Sequence, residues 1–221
     1  MQQQCFDEQR KNMVQGQLLP QGVRHVSLLE AMRTLDREEF LPPHLSDVAY
    51  TDGPLSVGNG RYMLAPAVLA QMIEALGIEP TDTVLDIGCG TGYSSAILAC
   101  MADTVVGLEQ DKAMAMTGVH QLDQLGLTNA MIIHLGDWTQ GYAKKSPYDA
   151  ILINGAVNHI PEKICAQLAD GGRLVAVVAR GTRTGTAMLV TRRGNSFATR
   201  GLFDTATPVL TGFQNKIGFS F

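Results

Sequence analysis

One decapeptide restricts the fold of this chain more than any other: Val84-Leu85-Asp86-Ile87-Gly88-Cys89-Gly90-Thr91-Gly92-Tyr93. A strand-like apolar run meets glycines at three alternate positions, and the helix-forming run Ser94-Ser95-Ala96-Ile97-Leu98-Ala99 follows. Glycine at 88, 90 and 92 permits a sharp turn and lets a ligand approach where a Cβ would collide. The helix that starts there points unpaired N–H groups at the same space. A second apolar run, Thr104-Val105-Val106-Gly107-Leu108, ends in Glu109, about twenty residues after the first glycine, where the acid of a βαβ nucleotide site holds ribose hydroxyls. Together these features predict an α/β sheet with an adenosine-containing small molecule at its edge.

The rest of the chain supplies that sheet. Pro66 suits the first turn of a helix whose apolar face is Val68, Leu69, Met72, Ile73 and Leu76 and which Gly77 ends. Strands are expected at Val84–Ile87, Thr104–Leu108, Ala130–Leu135, Tyr148–Ile153 and Arg173–Ala179. Between them fall helices at Tyr93–Met101, from an Asp111 cap to Gly126, and at Ile160–Leu168. This alternation predicts parallel strands with helices on both faces. Thr186–Thr191, Ser196–Phe203 and Ile217–Phe221 then read as strands with little helix between, hence antiparallel strands added at one edge. Residues 1–65 read differently and divide from 66–221. They hold helices at Asp7–Leu19 and Ser27–Leu35, with Ser27 a candidate N-cap, then an irregular stretch punctuated by Pro42-Pro43, Asp52-Gly53-Pro54 and Gly58-Asn59-Gly60. This front segment is too small for a core of its own and is expected to cap the larger unit.

Composition narrows the partners. Net charge is −4, and Lys144-Lys145 and Arg192-Arg193 are isolated pairs, which argues against a nucleic-acid surface. Cys5, Cys89, Cys100 and Cys165 are scattered, without CxxC spacing or histidines at ligand distance, so no metal is expected and the thiols read as reduced. The start Met1-Gln2-Gln3-Gln4 lacks a signal-peptide pattern, and no apolar run approaches the ~20 residues of a membrane span. A cytoplasmic protein without membrane attachment is the expectation, and nothing in the sequence sets an oligomeric state.

Gly88-Cys89-Gly90-Thr91-Gly92 is G-x-G-x-G rather than the G-x-G-x-x-G of dinucleotide sites. Asp86, two residues before the first glycine, can accept from the aminoacyl end of S-adenosylmethionine, whereas a carboxylate there would repel a pyrophosphate. Asp137 in Gly136-Asp137-Trp138 could accept from the adenine amino group. Trp138, the only tryptophan, offers that ring a face or edge, or else is a core aromatic. Asn154 in Asn154-Gly155-Ala156 ends the fourth strand at the same sheet edge. The expected cofactor set is therefore Asp86, Gly88, Cys89, Gly90, Gly92, Glu109, Asp137, Trp138 and Asn154.

Further motifs carry a family resemblance. They are Asn12-Met13-Val14 with Gln17-Leu18, Glu30-Ala31-Met32, Arg37-Glu38-Glu39-Phe40-Leu41-Pro42 and Ala49-Tyr50-Thr51-Asp52-Gly53-Pro54-Leu55. The glycine turn, Glu109, Gly136-Asp137, Pro147-Tyr148-Asp149-Ala150-Ile151 and Gly171-Gly172-Arg173-Leu174-Val175 complete them. Over nearly its whole length the chain resembles the protein-L-isoaspartate O-methyltransferase family. The resemblance implies a seven-stranded, Rossmann-like S-adenosylmethionine-dependent methyltransferase fold, mostly parallel, with antiparallel C-terminal strands and an N-terminal helical cap. It also implies methyl transfer to the free carboxylate of isoaspartyl residues in damaged proteins, forming an ester that favours succinimide and begins repair. Such a reaction needs little acid–base help, because carboxylate is a nucleophile and sulfonium a good leaving group; positioning alone can contribute about 7–11 kcal/mol.

One loop departs from the family. Where relatives read Gly-x-Gly-Gln-Thr-Ile-Ser-x-Pro, this chain has Gly58-Asn59-Gly60-Arg61-Tyr62-Met63-Leu64-Ala65-Pro66. Leu64 stands where the family has its active-site hydroxyl, and loss of that donor costs on the order of 1–3 kcal/mol in a dry site, roughly one to two powers of ten in rate. Arg61 and Tyr62 are candidates to hold an acidic substrate group instead, arginine being a bidentate partner of carboxylate. The alternative is an exposed arginine and a packing tyrosine in a loop. The acceptor is thus a protein or peptide, or a small carboxylate. Competing readings are a non-catalytic S-adenosylmethionine-binding relative and a nicotinamide oxidoreductase, the latter disfavoured by G-x-G-x-G, by Asp86 and by the antiparallel ending.

Overall fold

A computed structural model describes residues 2–180 and 184–214. The chain opens with α1 (Gln2–Met13), which widens into a π-helical turn at Val14–Leu18, and α2 (Val26–Thr34). Ser27 lies inside α2 and does not cap it; the residue before the helix is His25, whose side chain makes no cap bond. Glu74 serves instead, its carboxylate accepting the N–H groups of Arg24 and His25 at 3.0 Å each. Two short 3₁₀ turns, Arg37–Phe40 and Pro43–Val48, follow. The stretch expected to be irregular then holds a hairpin, β1 (Leu55–Gly58) and β2 (Arg61–Met63). Its turn is Asn59-Gly60, both with positive φ, the pairing that tight hairpins favour.

Helix α3 (Pro66–Leu76) ends at Gly77, which adopts the left-handed conformation. The large sheet comprises β3 (Thr83–Ile87), β4 (Thr104–Glu109), β5 (Ala130–His134), β6 (Tyr148–Val157), β7 (Leu168–Arg180), β8 (Thr184–Arg193) and β9 (Ser196–Thr205). Its order is β5-β4-β3-β6-β7-β8-β9, parallel from β5 to β7, with β8 antiparallel to both β7 and β9. The connections are α4 (Tyr93–Ala99), α5 (Lys112–Gln124) and α6 (Glu162–Cys165). Asp111 caps α5 by accepting the Met114 N–H at 2.9 Å. The helix expected at Ile160–Leu168 is only one turn, because Leu168 already pairs with Tyr148 in the sheet. The strand expected at Ile217–Phe221 lies outside the described residues.

Successive strand residues feed opposite cores, as a period of two requires. Val84, Val105, Ala150 and Leu152 pack with the α3 and α4 side, and Leu85, Val106, Ile151 and Ile153 with Trp138, Tyr148 and Leu174. The first core also takes Met13, Leu18, Leu28, Met32 and Phe40 from the front segment, against Leu69, Met72 and Ile73. Among the described residues no helix is long and apolar enough to cross a membrane.

Candidate functional site

The strand order reverses around β3, whose neighbours are β4 and β6. A ligand crevice in an open α/β sheet forms at the carboxyl ends of such strands. The register Ile87↔Leu108 sets Gly88 beside Glu109 there. The Leu108 carbonyl accepts the N–H groups of Gly88 and Cys89 at 2.9 and 3.2 Å. Gly88, Gly90 and Gly92 have φ of 86°, 60° and 97°, a region that side chains other than glycine enter only with strain. A Cβ on Gly92 would also lie 3.1 Å from the Gly118 Cα of α5, so the turn is packed from below.

Beneath the turn sits Asp86, fully buried. Its Oδ2 accepts from Ser94 and Ser95 of α4 at 2.6 and 2.8 Å, while its Oδ1 has no partner among the described residues. Burial pushes its carboxyl up to about 6, the two serines pulling it down and Glu109 adding to the rise. Asn154, expected to end its strand, lies inside β6, where the pairing with β7 shifts register between Leu152 and Ala156. It donates its Nδ2 to Ser94 Oγ at 2.8 Å and leaves Oδ1 equally unpartnered. Two orphaned acceptors thus flank one serine, an arrangement that is costly to leave unmet and suited to a cationic donor. The Cys89 thiol is buried and pushed well up, first by that burial and then by Asp86 and Glu109, so it stays a protonated packing group.

At the other end of the crevice, Glu109 is buried and saturated. Oε1 accepts the N–H of Gln110 and Asp111 at 2.8 and 3.0 Å. Oε2 accepts that of Gly90 at 2.8 Å and Arg61 Nη2 at 3.1 Å. Arg61 Nη2 also donates to the Gly88 carbonyl at 2.8 Å, and the guanidinium lies 5.0 Å from the Trp138 ring centroid. Strand alternation in β2 turns Arg61 and Met63 inward and Tyr62 outward. The alternative of an exposed arginine and a packing tyrosine is therefore reversed: Arg61 is 5% exposed and Tyr62 36%.

Trp138 is wholly buried, with Nε1 donating to the Thr211 carbonyl at 2.9 Å and Phe213 against its ring. Asp137 is exposed and its Oδ1 is turned to Thr139. Leu64 is buried, and its carbonyl accepts Arg37 Nη2 at 2.7 Å. It lines two small cavities: one of about 20 Å³ against Gly88–Thr91, Ser94 and Asn154, the other of about 10 Å³ against Asn154, Gly155 and Pro208–Leu210. Sequence reasoning missed Ser94, Ser95, Arg37 and Leu210. The serines sit directly after the glycine turn, a local signal; Arg37 reaches Leu64 across 27 positions, for which no local signal exists.

Comparison with known proteins identifies the family and the fold. The profile of the family described as protein-L-isoaspartate(D-aspartate) O-methyltransferase matches residues 8–206. The protein-L-isoaspartate O-methyltransferase of Methylorubrum populi is 40% identical over 189 residues, covering 85% of this chain and 87% of that one. Its counterpart in Methylorubrum extorquens is 42% identical over 188 residues, 85% of this chain and 81% of the other. Among solved structures, a protein-L-isoaspartate O-methyltransferase superposes with a TM-score of 0.79 at 25% identity, over 92% of this chain and 66% of that chain. A Plasmodium falciparum structure described as a protein-L-isoaspartate O-methyltransferase in complex with S-adenosyl-L-homocysteine gives a TM-score of 0.76 at 20% identity, over 93% of this chain and 97% of that one. The chain belongs to the protein-L-isoaspartate(D-aspartate) O-methyltransferase family, and with it to the S-adenosylmethionine-dependent O-methyltransferases.

Proposed function

We propose that this chain transfers a methyl group to the free carboxylate of isoaspartyl residues in proteins and peptides, at a rate limited by Leu64. The observation that carries the reading is the pair of orphaned acceptors, Asp86 Oδ1 and Asn154 Oδ1, below the glycine turn. They fit the ammonium of the cofactor's aminoacyl end, and a pyrophosphate would find a carboxylate there. Glu109 would hold the ribose hydroxyls, Gly88, Cys89, Gly90 and Gly92 the close backbone approach, and Asp137 the adenine, while Trp138, buried in the core, backs the site without facing the ring. When bound, S-adenosylmethionine supplies a methyl group on a sulfonium that needs no acid to leave.

The residues of the chain then have three tasks. Asp86 and Asn154 orient the donor end, ionised Asp86 also balancing its positive charge. Leu64, with Val57, Met63 and Leu69 around the same cavity, keeps water from the reacting centre, where exclusion strengthens each remaining electrostatic contact. Tyr62, outward on β2, is placed to donate to the acceptor carboxylate in the absence of a hydroxyl at 64. Residues 1–65 act as the cap that shapes this acceptor side: Arg37 donates to the carbonyls of both Ala49 and Leu64 and so ties the acceptor loop to the front segment.

The test is labelled methyl transfer from S-adenosylmethionine to an isoaspartyl peptide and to its normal aspartyl twin. Transfer to the first in excess of the second is expected. Tight S-adenosylhomocysteine binding with transfer to neither would overturn the acceptor assignment and favour a binding-only relative.

A further inference from the structure

Glu109 accepts three backbone N–H groups from its own neighbourhood, but its fourth donor comes from 48 residues earlier, on the tip of the β1–β2 hairpin. Arg61 Nη2 sits between Glu109 Oε2 and the Gly88 carbonyl, with the guanidinium over Trp138. Its Nε is buried without a partner among the described residues. A Cβ built on Gly88 would lie 3.1 Å from Arg61 Nη2, so no layer of atoms separates the cation from the glycine turn. The cavity lined by the glycine turn is about 20 Å³ and the one lined by Arg61 about 10 Å³, each with room for roughly one water at most, whereas small-molecule pockets run to about 300–1,000 Å³. An adenosine group reaching Glu109 and this guanidinium cannot occupy the same space.

Resting on the cofactor assignment above, we propose that Arg61 is a latch exchanged for the cofactor. Without cofactor, Arg61 is the counterion of Glu109 and covers Trp138. The ribose takes its place on Glu109, and the hairpin tip swings away from the crevice. The fastening suits such an exchange. Three residue pairs hold β1 to β2, and besides Arg61 the tip is tied down by Asn59 Nδ2 donating to Asp111 Oδ2 at 2.6 Å, an exposed contact. Gly58, Asn59 and Gly60 all have positive φ, so the tip is a turn rather than a packed element. Tyr62 adjoins Arg61 and β2 runs directly into Leu64, so the same movement resets the acceptor wall: cofactor occupancy and acceptor geometry are coupled through one hairpin.

The variant Arg61→Gln removes the cation and installs the residue that the family resemblance places here. Calorimetry with S-adenosylhomocysteine and with 5′-methylthioadenosine, which keeps the ribose and adenine but lacks the aminoacyl end, compares it with the wild type. The variant is expected to bind both at least tenfold more tightly, because no ion pair has to be displaced. Equal or weaker binding by a folded variant overturns the latch and makes Arg61 a fixed strut or a direct ligand. Absence of binding by both proteins overturns the cofactor assignment as well. Wild-type hydrogen exchange supplies a readout that does not depend on the variant folding. Adding S-adenosylhomocysteine should speed exchange of amides in residues 55–63 while slowing it around 88–92. Unchanged or slower exchange in the hairpin overturns the proposal.

Discussion

Restoring a hydroxyl at position 64 opposes two effects of known size. Leu64 is 3% exposed within the core that includes Leu69 and Tyr93. Trimming a buried leucine costs about 2–5 kcal/mol in lost transfer energy and cavity, which for a chain of this length lowers Tm by roughly 4–20 °C. The backbone at 64 does not depend on the side chain, because Arg37 Nη2 holds its carbonyl at 2.7 Å. The Leu64→Ser hydroxyl would therefore replace leucine where it borders both small cavities. A donor to a developing ester in a dry site is worth about 1–3 kcal/mol, hence about 10–100-fold in kcat/KM. The assay is labelled methyl transfer to the isoaspartyl peptide and its aspartyl twin, well below the lowered Tm, with S-adenosylhomocysteine affinity measured in parallel. Expected is a rise of at least tenfold for the isoaspartyl peptide alone. A folded variant with unchanged cofactor affinity and a rise of less than threefold would refute the assignment of Leu64 as the limit on rate.

Asp86 makes stability and ligand affinity depend on pH in opposite senses. Its folded pKa of about 6 lies above the ordinary aspartate value, so between about pH 4 and 6 the folded state binds more protons than the unfolded one. Stability from this group is full below that window and is lost as pH rises through it, by about 3 kcal/mol in all. An ammonium-bearing ligand needs the ionised form, so S-adenosylhomocysteine affinity should fall up to tenfold per unit below pH 6. Asp86→Asn should flatten both profiles in thermal melts and calorimetry; profiles parallel to the wild type would place the titration elsewhere. At Gly90 a Cβ meets nothing within 4 Å, yet φ is +60°. Gly90→Val should thus cost about 1–3 kcal/mol of backbone strain and lower S-adenosylhomocysteine affinity at least a hundredfold, as its side chain enters the crevice. At Gly118 a Cβ would lie 2.5 Å from Ile132 Cδ1 and 3.1 Å from the Thr91 backbone. Gly118→Val should destabilise by about 1–3 kcal/mol in chemical denaturation, and a neutral result would show that α5 yields without disturbing the glycine turn.

What could be read ahead in this chain was what local chemistry decides. The glycine turn, the Asp111 cap, the Gly77 stop and the antiparallel pair β8–β9 each follow from residues within a few positions of one another. The residues that separate this site from an open one answer to distant partners instead. Trp138 could have faced a ligand or a core, and it is Thr211 and Phe213, more than 70 positions on, that bury it. Asn59-Gly60 was visible as a turn, but β1 and β2 are four and three residues long, too short for alternation to announce itself. Without knowledge of the hairpin, nothing said which of Arg61 and Tyr62 turned inward. That one bit changes the chemistry. An outward Arg61 would be a free cation for substrate; the inward one neutralises Glu109, whose acidity marked the ribose site in the first place. The sequence signals for cofactor and for acceptor thus meet at a single ion pair, Arg61–Glu109, and a substitution on either side of it must alter binding of both ligands.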